Sequence, residues 1–448
     1  MKRAIIIGAA VLILAIVGFI VFFALHAAPS PASTGGNAGG KLPGVANQGS
    51  NGAQGTGSSG AAGGTQGANG TGGTTGGDQS LGGAAAQIKG FGPVSNDPVI
   101  AYFVDPQNNV YVVKTTGVIS KITNGQSTDL SSLQIQDLLD AGFSFDGKKA
   151  LVSFGDPAAP QTSVFDVTTK SWTALPKGLH SPKWSPTDTR IAYIAMPSNG
   201  TLNIDVIDAA NLKRAPVVLT SLHAEDWTLG WFDKSHIVLA DKPSALAAGS
   251  SLLYDMAKQT LTPIVNGENG SESIWSGASS STPPIGLVFA SGPANRGGGL
   301  RLQDISDSNS RNLNLLTLPS KCAFSIETLP TSTTTSTPAA ATTTTSTITK
   351  KPAVTKAPPR PPTYTFLYCA VPRDQGSLSF SYLPDDYEQM AIFTTDDILK
   401  INVTTGSIEP VFSDQSQQID ATKMKFVNNS LFMINRYDSK LYAVLFNG

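Results

Sequence analysis

Trp184-Ser185-Pro186-Thr187-Asp188-Thr189-Arg190-Ile191-Ala192-Tyr193 closes one β-type run on an aromatic, turns, and opens a second run. The pattern of an aromatic followed by a small or turn residue recurs. It is found at Phe143-Ser144, Trp231-Phe232, Trp275-Ser276, Phe324-Ser325 and Phe426-Val427. The spacings along the series are 41, 47, 44, 49 and 102 residues. A second pattern, an Asp or Asn that ends a short run and opens a turn, keeps step with it. It reads Val164-Phe165-Asp166, Val206-Ile207-Asp208, Leu253-Tyr254-Asp255, Leu302-Gln303-Asp304 and Lys400-Ile401-Asn402. A period of ~40–50 residues with all-β content marks the four-stranded blade of a propeller. The aromatic is expected on the innermost strand, packed between blades. The Asp or Asn is expected at the end of the third strand, bonding its own backbone. These residues therefore read as core and turn, not as a binding box.

The segment Trp184–Tyr193 resembles the WD-like repeat of TolB-type propellers, Trp-Ser-Pro-Asp-Gly followed by Ile-Ala-Phe/Tyr. Phe143-Ser144-Phe145-Asp146-Gly147 through Leu151-Val152 is a second, partial copy, and Trp231-Phe232-Asp233 through Ile237-Val238 a third. Thr187-Asp188 departs from the Asp-Gly of the pattern. The resemblance spans roughly residues 95–448 and implies a fold; by analogy of fold it also implies service in envelope assemblies. The superfamily includes the propeller domains of dipeptidyl and prolyl peptidases.

The expected fold is all-β: a propeller over 91–448 of about seven four-stranded blades. Six or eight blades are also compatible with the spacing. The last unit, Met424 to Phe446, lacks an outer strand, which residues near Gln87 to Val94 could supply. The 98 residues between Asp304 and Asn402 are explained by a disordered, basic, Thr/Pro-rich insertion at 331–362 in the sixth blade. Cys322 and Cys369 flank it on strands expected to be adjacent, close enough for a disulfide.

Ahead of the propeller, residues 1–3 (Met1-Lys2-Arg3) carry the only charges beside an apolar run at 4–26. As a helix the run spans about 33 Å, against a hydrocarbon core of ~30 Å. It reads as a single-pass transmembrane helix with its N-terminus in the cytoplasm and the propeller outside. Residues 27–90 are a Gly/Ser/Ala/Thr linker too poor in apolar side chains to fold.

A net charge of −1 with 14% charged residues argues against nucleic acid as a partner. No cofactor motif and no Gly-x-Ser-x-Gly or His-Glu-x-x-His sequence is present, so no catalytic residue is assigned. His180 and His223, with Glu225 and Asp226, suggest a metal only faintly, because their registers against Trp184 and Trp231 differ. Asp304, Asp307 and Asn309 fit a hairpin turn better than a calcium loop. The segment Tyr382, Leu383, Pro384, Asp385, Asp386, Tyr387, Glu388 is an acidic, aromatic loop suited to partner contact, with a loop packed over its blade as the bland reading. The expected function is a non-enzymatic module binding an envelope protein or a surface polymer. The alternative is a lactonase- or lyase-like enzyme with its site at the central channel.

Overall fold

The computed structural model describes residues 88–196, 200–222, 226–277, 284–306, 309–328 and 363–446. The apolar run at 4–26, the linker up to residue 87, and the insertion at 331–362 lie outside the described residues. Among the described residues no helix is long and apolar enough to cross a membrane.

Among the described residues, twenty-eight strands, β1 to β28, pair into seven antiparallel four-stranded sheets. Six sheets take their strands consecutively. The seventh takes, from the outside inward, β1 (Ile88–Pro93), β28 (Leu441–Phe446), β27 (Ser430–Asn435) and β26 (Ala421–Val427), so β1 is the outer strand beside β28. The first strand of the domain thus closes the ring through its last blade. It begins inside the stretch read as linker. Phe91 secures it, stacked 5.5 Å from Tyr442 and tilted against Phe412 of the preceding blade at 4.6 Å.

The innermost strands of blades 1 to 7 are β2 (Val99–Val104), β6 (Leu138–Phe143), β10 (Leu179–Trp184), β14 (Trp227–Trp231), β18 (Glu272–Trp275), β22 (Cys322–Thr328) and β26 (Ala421–Val427). The repeated Asp and Asn residues end the third strands. Asp166 accepts from the backbone of Thr168 and Thr169, each at 2.9 Å. Asp208, Asp255 and Asn402 do the same with Ala210, Ala257 and Thr404. This is why the motif tolerates only short side chains with an acceptor oxygen.

Among the described residues the core is divided into seven buried clusters, each at a junction between neighbouring blades. Ring closure is one of them: Val99, Val110, Val112 and Ile122 of blade 1 meet Phe432, Ile434, Leu441 and Ala443 of blade 7. The junction between blades 4 and 5 is the thinnest, with Val238, Leu253 and Ile264 as its fully packed members. A blade therefore gains its apolar burial from both neighbours, and no single sheet is a folding unit.

In blade 6, Cys322 faces Cys369 across β22 and β23 (Thr363–Pro372). A disulfide joins them, with Cα atoms 4.1 Å apart.

Candidate functional site

Strands alternate in direction, so loops between second and third strands share one face of the ring with the connections from blade to blade. On this upper face blade 6 carries a long excursion, residues 373–395, between β23 and β24 (Asp396–Asn402). It holds two short helices, α1 (Gln375–Ser379) and α2 (Asp385–Glu388), the first capped by Asp374, which accepts from Gly376 N at 2.9 Å.

The excursion reaches over blade 5 to blade 4. The Arg296 guanidinium donates to Phe380 O and to Tyr382 Oη, and lies 4.3 Å over the Tyr382 ring. Ser291 Oγ donates to Leu383 O at 2.7 Å. Asp385 accepts from the backbone N–H of Ala245 in blade 4. These contacts strap blades 4, 5 and 6 together across the thinnest junction of the core. Gly270 sits beneath the strap; a Cβ there would fall 2.6 Å from Leu383 O.

The proposed contact residues are divided by this geometry. Tyr387 is buried, which corrects any expectation of its side chain as a contact. Asp385 and Asp386 are half-buried and hold backbone N–H groups, Asp386 that of Tyr382 at 2.8 Å. Tyr382 is half-buried against Arg296, while Glu388 is exposed. What the excursion shows to solvent lies beside them: Phe380 at 75% exposure, Met390 at 59%, and Phe393, which stacks 5.3 Å from Tyr437 of blade 7.

Tyr387 belongs to a buried ionic network that fixes the excursion to blades 6 and 7. The Lys321 ammonium, fully buried, touches Asp396 at 2.7 Å, Thr394 at 2.9 Å, Tyr387 Oη at 3.2 Å, and Asp420. Arg436 donates to Asp420 at 2.8 Å and to Tyr387 O at 2.6 Å, with its guanidinium 3.7 Å over the Tyr387 ring. Two cations thus face two carboxylates, and both are hydrogen-bonded, as burial of charge requires. Burial would lower the Lys321 pKa; Asp396 and Asp420 outweigh it and hold the ammonium above its usual range. Burial pushes the Asp396 carboxyl up, despite Lys321.

Glu272, first residue of β18, accepts from Ser320 N at 2.7 Å through one oxygen, and its other oxygen is buried without a partner. Burial pushes it up to about 7, with Glu388 adding to the effect. The folded chain then holds this proton more tightly than the unfolded chain does. Its stabilising contribution is complete below the usual glutamate range and is lost as pH rises through about 7. Glu272→Gln keeps the acceptor and removes the charge. It should leave stability unchanged near pH 4 and raise it by up to ~3 kcal/mol near pH 8. Urea unfolding at the two pH values checks this, and an equal effect at both would exclude it.

The channel is lined by the innermost strands. Lys183 of blade 3 and Lys423 of blade 7 approach Asp140 of blade 2 at 3.0 and 3.8 Å. Burial would raise Asp140, but the two lysines hold it below its usual range. Lys425 sits on the same strand as Lys423, 5.3 Å over the Phe103 ring. The alternation Lys423-Met424-Lys425 in an apolar strand was the available sequence signal: every second side chain shares one face of a strand.

His180 lines a separate cavity of about 490 Å³ on the upper face with Ser181, Asp226, Trp227 and Lys242. His223 and Glu225 lie outside the described residues. Among the described residues no three His, Cys, Asp or Glu side chains are placed to hold a metal. Asp304 serves its hairpin, accepting from Ser306 N at 3.0 Å and from Asn309 Nδ2 at 2.8 Å.

The structure is similar to that of the tricorn protease, at 11% identity and a TM-score of 0.43 over 78% of this chain and 33% of that one. It is similar to TolB from Acinetobacter baumannii, at 12% and 0.36 over 69% and 64%. A putative TolB from Agrobacterium tumefaciens matches at 13% and 0.34 over 50% and 83%. The chain spans about a third of the length of the tricorn protease. No protein-family model and no curated protein matches the sequence. The resemblance to TolB-type propellers holds at the level of the fold, and the blade count rests on the sheet topology itself.

Proposed function

We propose that this chain is a membrane-tethered, extracytoplasmic binding module without catalytic activity, which docks an envelope protein on the upper face of its propeller. The observation that carries the reading is the excursion of blade 6. It exposes Phe380, Met390 and Phe393 on a backbone fastened by a buried ionic network and by bonds to three other blades. Large apolar side chains held rigidly in water lose little conformational entropy when a partner covers them, which favours docking. Glu388 and Tyr437 supply a polar and aromatic border. The apolar run at 4–26 would hold the domain at the membrane, and the linker would let it search outward.

A photo-crosslinking amino acid at Phe380 or Phe393, in the full chain in its native membrane, tests the reading. The same probe at Phe145, exposed in the first loop of blade 2 on the opposite face, is the control. A discrete protein adduct is expected from the two upper-face positions and not from Phe145. It should be displaced by excess propeller and lost on Met390→Asp. Equal capture from both faces, or none, would remove the docking face.

A further inference from the structure

The exposed charges of the ring are divided between its two faces. Loops from first to second strand and from third to fourth strand form the lower face. In blades 2, 3 and 4 these loops expose six cations: Lys148 and Lys170, Lys213 and Arg214, Lys234 and Lys258. None of the acids in the same loops is exposed. Asp146, Asp166, Asp188, Asp233 and Asp255 keep side chains only 9–40% exposed, because their oxygens hold the N–H groups of the turns. Lys148 and Lys258, by contrast, are 71% and 77% exposed. They reach back to Asp146 and Asp255, but exposed pairs of this kind are weak and leave the ammonium free to turn outward. Lys170, Lys213, Arg214 and Lys234 have no carboxylate within ion-pair distance among the described residues.

Phe145 stands in the same patch, 45% exposed in the loop that carries Lys148. The upper face has the opposite balance. Its loops expose Asp137, Asp156, Asp374 and Glu388 among other acids, against Lys177, Lys242 and Arg296. The path of the chain distinguishes the faces as well. β1 starts opposite Phe446, at the lower rim of blade 7. The chain ahead of the ring therefore joins it from the lower face, and the excursion of blade 6 stands on the other.

We propose that the lower face of blades 2 to 4 rests on anionic lipid headgroups, which turns the upper docking face outward. This orientation rests on the reading of the chain as membrane-tethered, which selects lipid among the anionic surfaces a basic patch could meet. Each Lys or Arg near an anionic bilayer strengthens binding about fivefold. Six such side chains on three adjacent blades share one surface, so they can engage together. The attraction fades within a Debye length, ~10 Å at 0.1 M salt, so the patch alone holds the domain weakly. A tether keeps the effective concentration high, and an anchor joined to a basic patch is the two-signal arrangement that fixes a domain on a bilayer. Phe145 would enter the boundary between headgroups and acyl chains beside Lys148. The upper face, rich in exposed acids, is repelled from the same surface.

The test uses the full chain reconstituted into vesicles of phosphatidylcholine, alone or mixed with phosphatidylglycerol. A fluorophore on Thr169→Cys, exposed on the lower face of blade 2, or on Gln375→Cys, exposed on the upper face, transfers energy to an acceptor on the lipid headgroups. Cys322 and Cys369 are joined and buried, so the introduced thiol takes the label. On the mixed vesicles, transfer from position 169 should exceed that from 375 at least about twofold, and the difference should shrink in about 1 M salt. Lys213→Glu combined with Arg214→Glu should erase it. Both residues are exposed in one turn, so thermal stability of this variant should be unchanged. Phe145→Ser should reduce the difference, and Met390→Asp, which disables the docking face, should leave it intact. Equal transfer from the two faces would overturn the proposal, as would a difference that ignores phosphatidylglycerol, salt and the double reversal. The two readings fail separately. A chain that enters pure phosphatidylcholine vesicles and shows no preferred face there or on the mixed ones refutes the orientation and keeps the tether. A chain recruited only by phosphatidylglycerol, lower face first, supports the lipid-binding face and removes the tether.

Discussion

Lys321→Met should destabilise the propeller by about 3–5 kcal/mol at neutral pH, the cost of breaking a buried ion pair from one side. The substitution keeps the aliphatic stem and removes the charge, so packing loss is small. What remains is a buried site in which Asp396 and Asp420 face Arg436 alone. Asp396 already has its carboxyl pushed up by burial, and one of its oxygens has no partner. Without Lys321 it would take up a proton at still higher pH. The folded-state value then lies further above the unfolded one, so the variant's stability is preserved in acid and lost as pH rises toward neutrality. The deficit should therefore be smaller near pH 4 than near pH 7. Adding Asp396→Asn to Lys321→Met should recover part of the loss, because it removes the stranded charge. Urea unfolding of the unsubstituted chain and the two variants at both pH values measures all of this, and a pH-independent deficit would exclude the electrostatic account. The network also holds the excursion of blade 6 through Tyr387 and Arg436. Lys321→Met should accordingly reduce crosslinking from Phe393, even under conditions where the ring remains folded.

The ring was legible in the sequence because its two markers do structural work in most blades, the aromatic in blades 2 to 7 and the Asp or Asn in blades 2 to 6. The aromatic at the end of the inner strand packs between sheets, and the Asp or Asn of the third strand closes a turn on its own backbone. Both demands are local, so both recur once per blade, at intervals of 41 to 49 residues outside the blade that holds the insertion. The closing strand could be inferred from a deficit, since a last blade with three strands leaves an unpaired edge. The ionic network was not legible. Lys321, Asp396, Asp420 and Arg436 lie far apart in sequence, and each one alone resembles a solvated surface charge. Their burial follows from how the excursion folds down, which has no counterpart in the other blades. The same holds for Tyr387: an acidic, aromatic loop has the composition of a contact surface, whereas here its acids hold backbone N–H groups and its tyrosine plugs the network. Composition identified the right loop, and the side chains that face water are its neighbours.

Replacing both Cys322 and Cys369 by Ala should lower stability by about 4 kcal/mol, the chain-entropy value for a loop of this size. The residues are 47 apart in sequence, and both thiols would be buried. Alanine avoids leaving a hydroxyl without a partner. Most of that loop is the insertion at 331–362, which supplies a second handle on the mechanism. Deleting 331–362 shortens the cross-linked loop to about a third of its length, so the entropic contribution of the disulfide should fall by ~1 kcal/mol. A double-mutant cycle of the Cys pair and the deletion measures this coupling. Coupling near zero would mean that the disulfide acts in the native state instead. The native alternative is specific: Cys322 directly follows Lys321, and the disulfide pins that end of β22 to β23. If this local restraint dominates, loss of the disulfide should loosen the ionic network. The cost of Lys321→Met would then shrink in the Cys-free chain while the deletion changed nothing. The two mechanisms thus predict coupling to different partners, and one set of unfolding curves separates them.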